Sequence, residues 1–167
     1  MAPLRIDPVA EARRHWEDRY GDEPSRPMAA VTSIMRAQQV LLARLNELLK
    51  PHGLTFPRFE ALVLLSYTRR GELPIGKLGE RLQVHRTSAS SIVAALEDDG
   101  FVRRMPSERD GRATLAIITD RGRAVARAAT ADLNDAAFGL GALSPAEQEG
   151  LTDTLRTLRL DAGDFVA

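Results

Sequence analysis

Between residues 73 and 118 the apolar period changes from that of helices to that of strands, and this switch narrows the fold more than any other feature. A short helix is expected from Pro74 to Leu82 and a second from about Arg86 to Asp99, with Gly100 as its stop. The turn Gln83-Val84-His85 lies between them, so the pair reads as a helix-turn-helix. Ile75, Leu78, Leu82, Val84, Ile92, Val93 and Leu96 fall on its inner face, while the second helix presents Arg86, Thr87, Ser88, Ser90 and Ser91 outward. Phe101–Met105 and Thr114–Ile118 then alternate as two strands around the polar segment PSERDGRA. That is a β-hairpin with a long tip. Burial of the tip is disfavoured, because Glu108, Arg109, Asp110 and Arg112 would all need partners.

Helices flank this unit on both sides. Asp7-Pro8 starts the first one, Val9, Ala12, Trp16 and Tyr20 form its stripe, and Gly21 stops it. DEPSRP, residues 22–27, has two prolines and no large apolar side chain, and reads as a linker. A longer helix follows from about Met28 to Lys50, where Pro51-His52-Gly53 ends it. Thr55 is the expected cap of the next helix, with Phe59, Leu62, Val63 and Leu65 facing inward. After the hairpin, Thr119 caps a helix through about Leu140, its inner stripe being Val125, Ala129, Leu133, Ala136 and Leu140. Ser144-Pro145-Ala146-Glu147 is a capping box that opens a last helix, with Leu151, Leu155 and Leu158 as its buried stripe. A loose tail is expected from Asp161.

The resulting fold class is mainly α with a small β-hairpin wing: a winged helix-turn-helix plus terminal helices that form a dimerisation region. Residues 1–27 are the extra N-terminal helix and linker, 28–56 the dimerisation helix, 57–118 the winged DNA-binding region and 119–167 the C-terminal helices. The terminal stripes have little in one chain to cover them. A second copy would do so, and closed two-fold dimers are the commonest oligomers.

Composition removes several functions. The 167 residues carry 23 basic and 23 acidic side chains, so nucleic-acid binding must come from a local patch. Residues 28–112 hold the positive excess, and the two terminal segments are net acidic. Arg86, Arg103, Arg104, Arg109 and Arg112 gather at the start of the second short helix and in the hairpin, where a helix N-terminus adds its own affinity for phosphate. Cysteine is absent, which excludes disulfides, thiol catalysis and thiol redox sensing. His15, His52 and His85 share no helical i, i+4 pairing, so no metal site is expected. No cofactor or enzyme motif is present, neither Gly-x-Ser-x-Gly nor a glycine-rich phosphate loop. Without a long apolar run or a signal-peptide pattern, the expectation is a cytoplasmic protein with no membrane contact.

Residues 73–122 resemble the winged helix-turn-helix of the MarR family of bacterial transcriptional regulators. The resemblance rests on Leu96-Glu97-x-x-Gly100-Phe101-Val102-x-Arg104, on Asp110-x-Arg112, and on Ile118-Thr119-x-x-Gly122. With the flanking helices it extends over roughly residues 28–160. It implies a homodimer on a palindromic double-stranded operator, acting as a repressor released by a small ligand. It also implies DNA contacts from Arg86, Thr87, Ser88, Ser90 and Ser91, and a wing in which Asp110 orients Arg112 into the minor groove beside Arg109. The extra N-terminal helix is similar to that of the urate-responsive branch. There a tryptophan, an aspartate, a recognition-helix arginine and a wing arginine serve the ligand response. Trp16 and Arg104 match, Glu60 stands in place of the aspartate, and Ser91 in place of the recognition-helix arginine. The resemblance thus implies Trp16, Glu60 and Arg104 as ligand contacts for a small anionic or aromatic effector, without singling out urate. The competing reading is a winged helix used for protein interaction or DNA architecture with no ligand.

Overall fold

In the computed structural model, residues 4–107 and 113–166 are described. The chain packs as two units, residues 1–44 and 45–167.

In the first unit, α1 (Pro8–Tyr20) begins as its sequence requires. Asp7 caps it by accepting from the Val9 N–H at 2.9 Å, and Gly21 at φ +90° ends it. The expected linker does not exist: α2 (Asp22–Leu49) takes DEPSRP as its first turns. Pro24 sits where an N–H has no intrahelical partner to lose, so only Pro27 costs a helix bond. Local contacts compensate. Asp22 and Glu23 are favoured at the positive end of the helix, Arg26 pairs with Asp22 one turn on, and the buried Ser25 hydroxyl donates to the Asp22 carbonyl at 2.7 Å.

The second unit carries the core. Leu49 from the end of α2, Leu62 and Leu65 from α3 (Phe56–Ser66), Leu78 from α4 (Ile75–Leu82), Val93 and Leu96 from α5 (Arg86–Asp98), and Leu133 from α6 (Asp120–Asp135) are fully buried together. Thr55 occupies the cap position of α3 but makes no side-chain capping bond. Asn46, ten residues upstream, accepts from the Phe56 N–H instead at 2.8 Å. Gly79 of α4 lets α5 approach closely, since a Cβ there would lie 3.1 Å from the Ala89 Cβ.

Among the described residues the sheet has three strands, not the two expected. β1 (Glu72–Pro74) adds to β3 (Thr114–Ile118), which also pairs with β2 (Val102–Pro106), all antiparallel. Three residues are too few to show alternation, and Pro74 at its end reads as a helix start.

α6 starts where expected: the Thr119 hydroxyl accepts from the Gly122 N–H at 3.0 Å. It stops at Asp135 rather than Leu140. Ala137 and Phe138 take φ near +50° in a 3-10 turn that reverses the chain. Nothing in the sequence marks non-glycine residues for that conformation. α7 (Pro145–Asp161) opens with the predicted Ser144–Glu147 capping box, but its leucine stripe is not buried. Leu151 and Leu158 are exposed, Leu158 at 55%, and no residue of α7 is buried. The tail is not loose either: Asp164 is bonded to Arg159, and Phe165 lies beneath two arginines.

Candidate nucleic-acid interface

The turn between α4 and α5 is built by three residues with different tasks. Gln83 ends α4 in the left-handed region at φ +55°, and the Val84 N–H returns to the Gly79 carbonyl. His85 caps α5, its Nδ1 accepting from the Thr87 N–H at 3.3 Å. The remaining N–H groups of the first turn of α5 have no side-chain cap and point outward with the helix dipole.

Arg86, Thr87, Ser88, Ser90 and Ser91 are all exposed on α5. They are not equivalent. Ser91 spends its hydroxyl on the Thr87 carbonyl at 3.1 Å, and the Thr87 hydroxyl lies 3.1 Å from His85 Nδ1. Arg86 and Ser90 line an open cleft of about 340 Å³ together with Lys77 and Glu80 of α4 and with Ala113 and Thr114 at the base of the wing. The cleft joins three elements that a duplex could touch at once. Lys77, paired with Glu80 at 2.8 Å, was not picked out from the sequence; its place in the first turn of α4 was the available signal.

The base of the wing closes through a bond from the Ser107 N–H to the Ala113 carbonyl at 2.9 Å. Arg109, Asp110 and Arg112 lie outside the described residues. Two ion pairs hold the far end of α5. Glu97 accepts from the Arg104 N–H at 2.9 Å and from its guanidinium at 2.5 Å, locking helix to wing. Those bonds hold the Glu97 carboxyl below its usual range, the backbone bond foremost. Arg58 of α3 pairs with Asp99 and donates to the Ala95 carbonyl at 3.1 Å, joining α3 to the negative end of α5.

The three expected ligand contacts are described each within its own unit. Trp16 belongs to the first unit, where it is 41% exposed and packs on Tyr20 with ring centroids 4.9 Å apart. Arg104 is engaged by Glu97, not by Glu60. Glu60 keeps access to solvent, yet the protein mass around it pushes its carboxyl above the usual range. A different feature came from the structure alone: an open groove of about 420 Å³ between α3 and α6, with Val63 and Ala126 as apolar lining and Tyr67, Arg123 and Arg127 around them. Among the described residues no acid pairs with either arginine.

The histidines fall apart as their spacing suggests. His85 is a cap, and His52 bonds Asp132 of α6 at 2.7 Å. Among the described residues, no three His, Cys, Asp or Glu side chains converge to hold a metal. Among the described residues, no helix is long and apolar enough to cross a membrane.

Comparison with known proteins agrees with this geometry. Residues 54–114 match the MarR family. The chain is similar to Sco5413, a MarR family transcriptional regulator from Streptomyces coelicolor, with 51% identity, 85% of this chain and 99% of that one covered, and a TM-score of 0.79. It is also similar to Sco3205 of the same organism, a MarR family regulator solved in complex with DNA (28% identity, 77% and 86% covered, TM-score 0.71). Among curated proteins it is 35% identical over 98 residues to the HTH-type transcriptional repressor Rv2887 of Mycobacterium tuberculosis, covering 59% of this chain and 69% of that protein.

Proposed function

The chain belongs to the MarR family of transcriptional regulators, and from that premise we propose that two copies grip a palindromic operator as a ligand-released repressor in the cytoplasm. The observation that carries this reading is the exposed N-terminal half of α5. Arg86, Ser88 and Ser90 have no protein partner among the described residues, and Arg86 and Ser90 stand beside the base of the wing. Side chains in that half of a recognition helix reach base edges in the major groove, and the free N–H groups take phosphate. Arg112, with Arg109 and Asp110, would extend the contact into the minor groove, where a planar guanidinium fits a narrow negative channel. The interaction or architectural alternative has no comparable support, because a protein-docking helix has no need of this many free donors beside a cationic wing.

Dimerisation is supported by apolar surface that one chain leaves open. Leu151, Leu158 and Leu160 are exposed on α7, and Val31, Ile34, Met35 and Val40 on α2. Recognition helices about 34 Å apart would then meet two half-sites one helical turn apart. Repression follows the curated relative Rv2887, which is a repressor. An anionic or aromatic effector is supported by the groove between α3 and α6, whose two arginines pair with no acid among the described residues. Trp16, Glu60 and Arg104 are each proposed as ligand contacts on the family resemblance alone, separately from that groove.

Selection of duplexes from a random pool, followed by gel shift at stated salt, tests the reading. Arg86→Ala and Ser90→Ala should each weaken the selected operator by roughly 1–3 kcal/mol if they touch bases. Unchanged affinity in both variants removes α5 as the reading element.

A further inference from the structure

α7 has no fully buried residue, though Gln148 and Leu155 are half-buried, and side-chain bonds stand at both of its ends. At the first end, Gln148 donates to the Leu143 carbonyl at 3.0 Å. At the other, the chain reverses at Gly163 (φ +71°) and returns Asp164 to the helix, where its N–H donates to the Arg159 carbonyl. Arg159 Nε then donates to Asp164 Oδ2 at 2.7 Å, and the guanidinium groups of Arg156 and Arg159 cover the Phe165 ring at 5.2 and 5.4 Å.

The second carboxylate oxygen has another partner. Asp164 Oδ1 accepts from Gln83 Nε2 at 2.7 Å, across 81 residues of sequence. Gln83 is the left-handed residue that ends α4, two positions before the His85 cap of α5. One carboxylate therefore ties the end of α7 to the turn that aims the recognition helix.

We propose that Asp164 is a positioning residue for operator recognition, setting the direction of α5 relative to α7. The proposal rests on the reading that α7 pairs with a second copy of the chain. On that reading, Asp164 transmits the geometry of the dimer to each reading head, and its effect appears in half-site spacing more than in stability. An exposed bond of this kind contributes little to folding. It restricts an angle instead, and two restricted angles fix a separation.

The experiment uses the full chain and the selected operator, with companion duplexes carrying one base pair inserted or removed between half-sites. Asp164→Ala and Gln83→Asn are compared singly and together. Asparagine tolerates the left-handed backbone at 83 but is too short to reach Asp164. Each single variant should lose about two- to thirty-fold of the discrimination between correct and altered spacing. The double variant should be no worse than the singles, and thermal midpoints should stay within about 2 °C of wild type. Asp164→Asn, whose amide oxygen still accepts from Gln83, should retain more discrimination than Asp164→Ala. Unchanged discrimination in both single variants, or losses that multiply in the double variant, overturns the role of Asp164. If wild type binds no selected duplex, the DNA-reading proposal fails first and this one with it.

Discussion

Gly122→Ala is the substitution whose outcome the structure states most sharply. Gly122 lies in the first turn of α6, and a Cβ there would come 2.1 Å from the Phe101 carbonyl oxygen and 2.9 Å from its carbon. A relaxed non-bonded carbon contact is about 3.5 Å, so backbone must move by roughly 1 Å or more. The oxygen it would displace accepts from the Thr119 N–H at 3.0 Å and from the Thr119 hydroxyl at 3.1 Å. Those bonds, each worth about 1 kcal/mol net, tie the start of the wing to the start of α6. Overpacking adds about 1–3 kcal/mol, while the helix gain of alanine over glycine returns at most about 1 kcal/mol. If both bonds are lost, a net loss of roughly 2–4 kcal/mol follows, lowering the thermal midpoint by about 4–16 °C for a chain of this size. The assay is thermal melting at one fixed protein concentration, since an oligomer melts in a concentration-dependent way. Gly150→Ala in α7 is the matched control, because nothing lies within 4 Å of its Cβ position and the same change should stabilise. If Gly122→Ala melts at or above wild type, the close approach of α6 to the wing is wrong.

Asn46→Ala should cost about 0.5–2 kcal/mol in urea unfolding, whereas Thr55→Ala costs less; the reverse order would return the cap of α3 to Thr55. Glu97 is held below its ordinary range when folded, so its stabilising contribution is complete above that range and fades as pH falls through the lowered value. Glu97→Gln should therefore narrow its stability gap to wild type between about pH 6 and pH 3, and a gap equal at both ends would refute the Arg104 contact. Leu158→Glu puts a charge on the exposed stripe of α7 and should shift sedimentation at micromolar concentration toward monomer; an unchanged dimer would move the interface elsewhere.

What was legible in the sequence was local. Asp7-Pro8, Thr119 and the Ser144–Glu147 box each act within a single turn, and all three cap the helices they were expected to start. The period switch at Gly100 located both hairpin strands for the same reason. What was hidden depends on distance. Asn46 reaches α3 across the turn after α2, so Thr55, correct by type and position, was chosen in its place. DEPSRP shows the converse error. Its prolines argue against a helix interior, but here most of the segment is a helix start, where proline costs little.

The candidate site divides along the same line. Exposure of Arg86, Ser88 and Ser90 follows from polarity at helical spacing, and the structure agrees on exposure. Partners do not follow from it. The family resemblance, not the local sequence, implies Arg104 as a ligand contact, and its bonds to Glu97 through both backbone and guanidinium follow from the fold of strand back onto helix after Gly100. The same logic applies to α7. A leucine stripe says only that a helix wants cover; it does not say which chain supplies it. Leu151, Leu155 and Leu158 read as a stripe that a second copy would cover, and the structure leaves Leu151 and Leu158 exposed with side-chain bonds at both ends of the helix. A stripe without cover beside a carboxylate that grips the reading turn is informative as a pair: the first calls for a second copy, and the second gives that copy a path to α5.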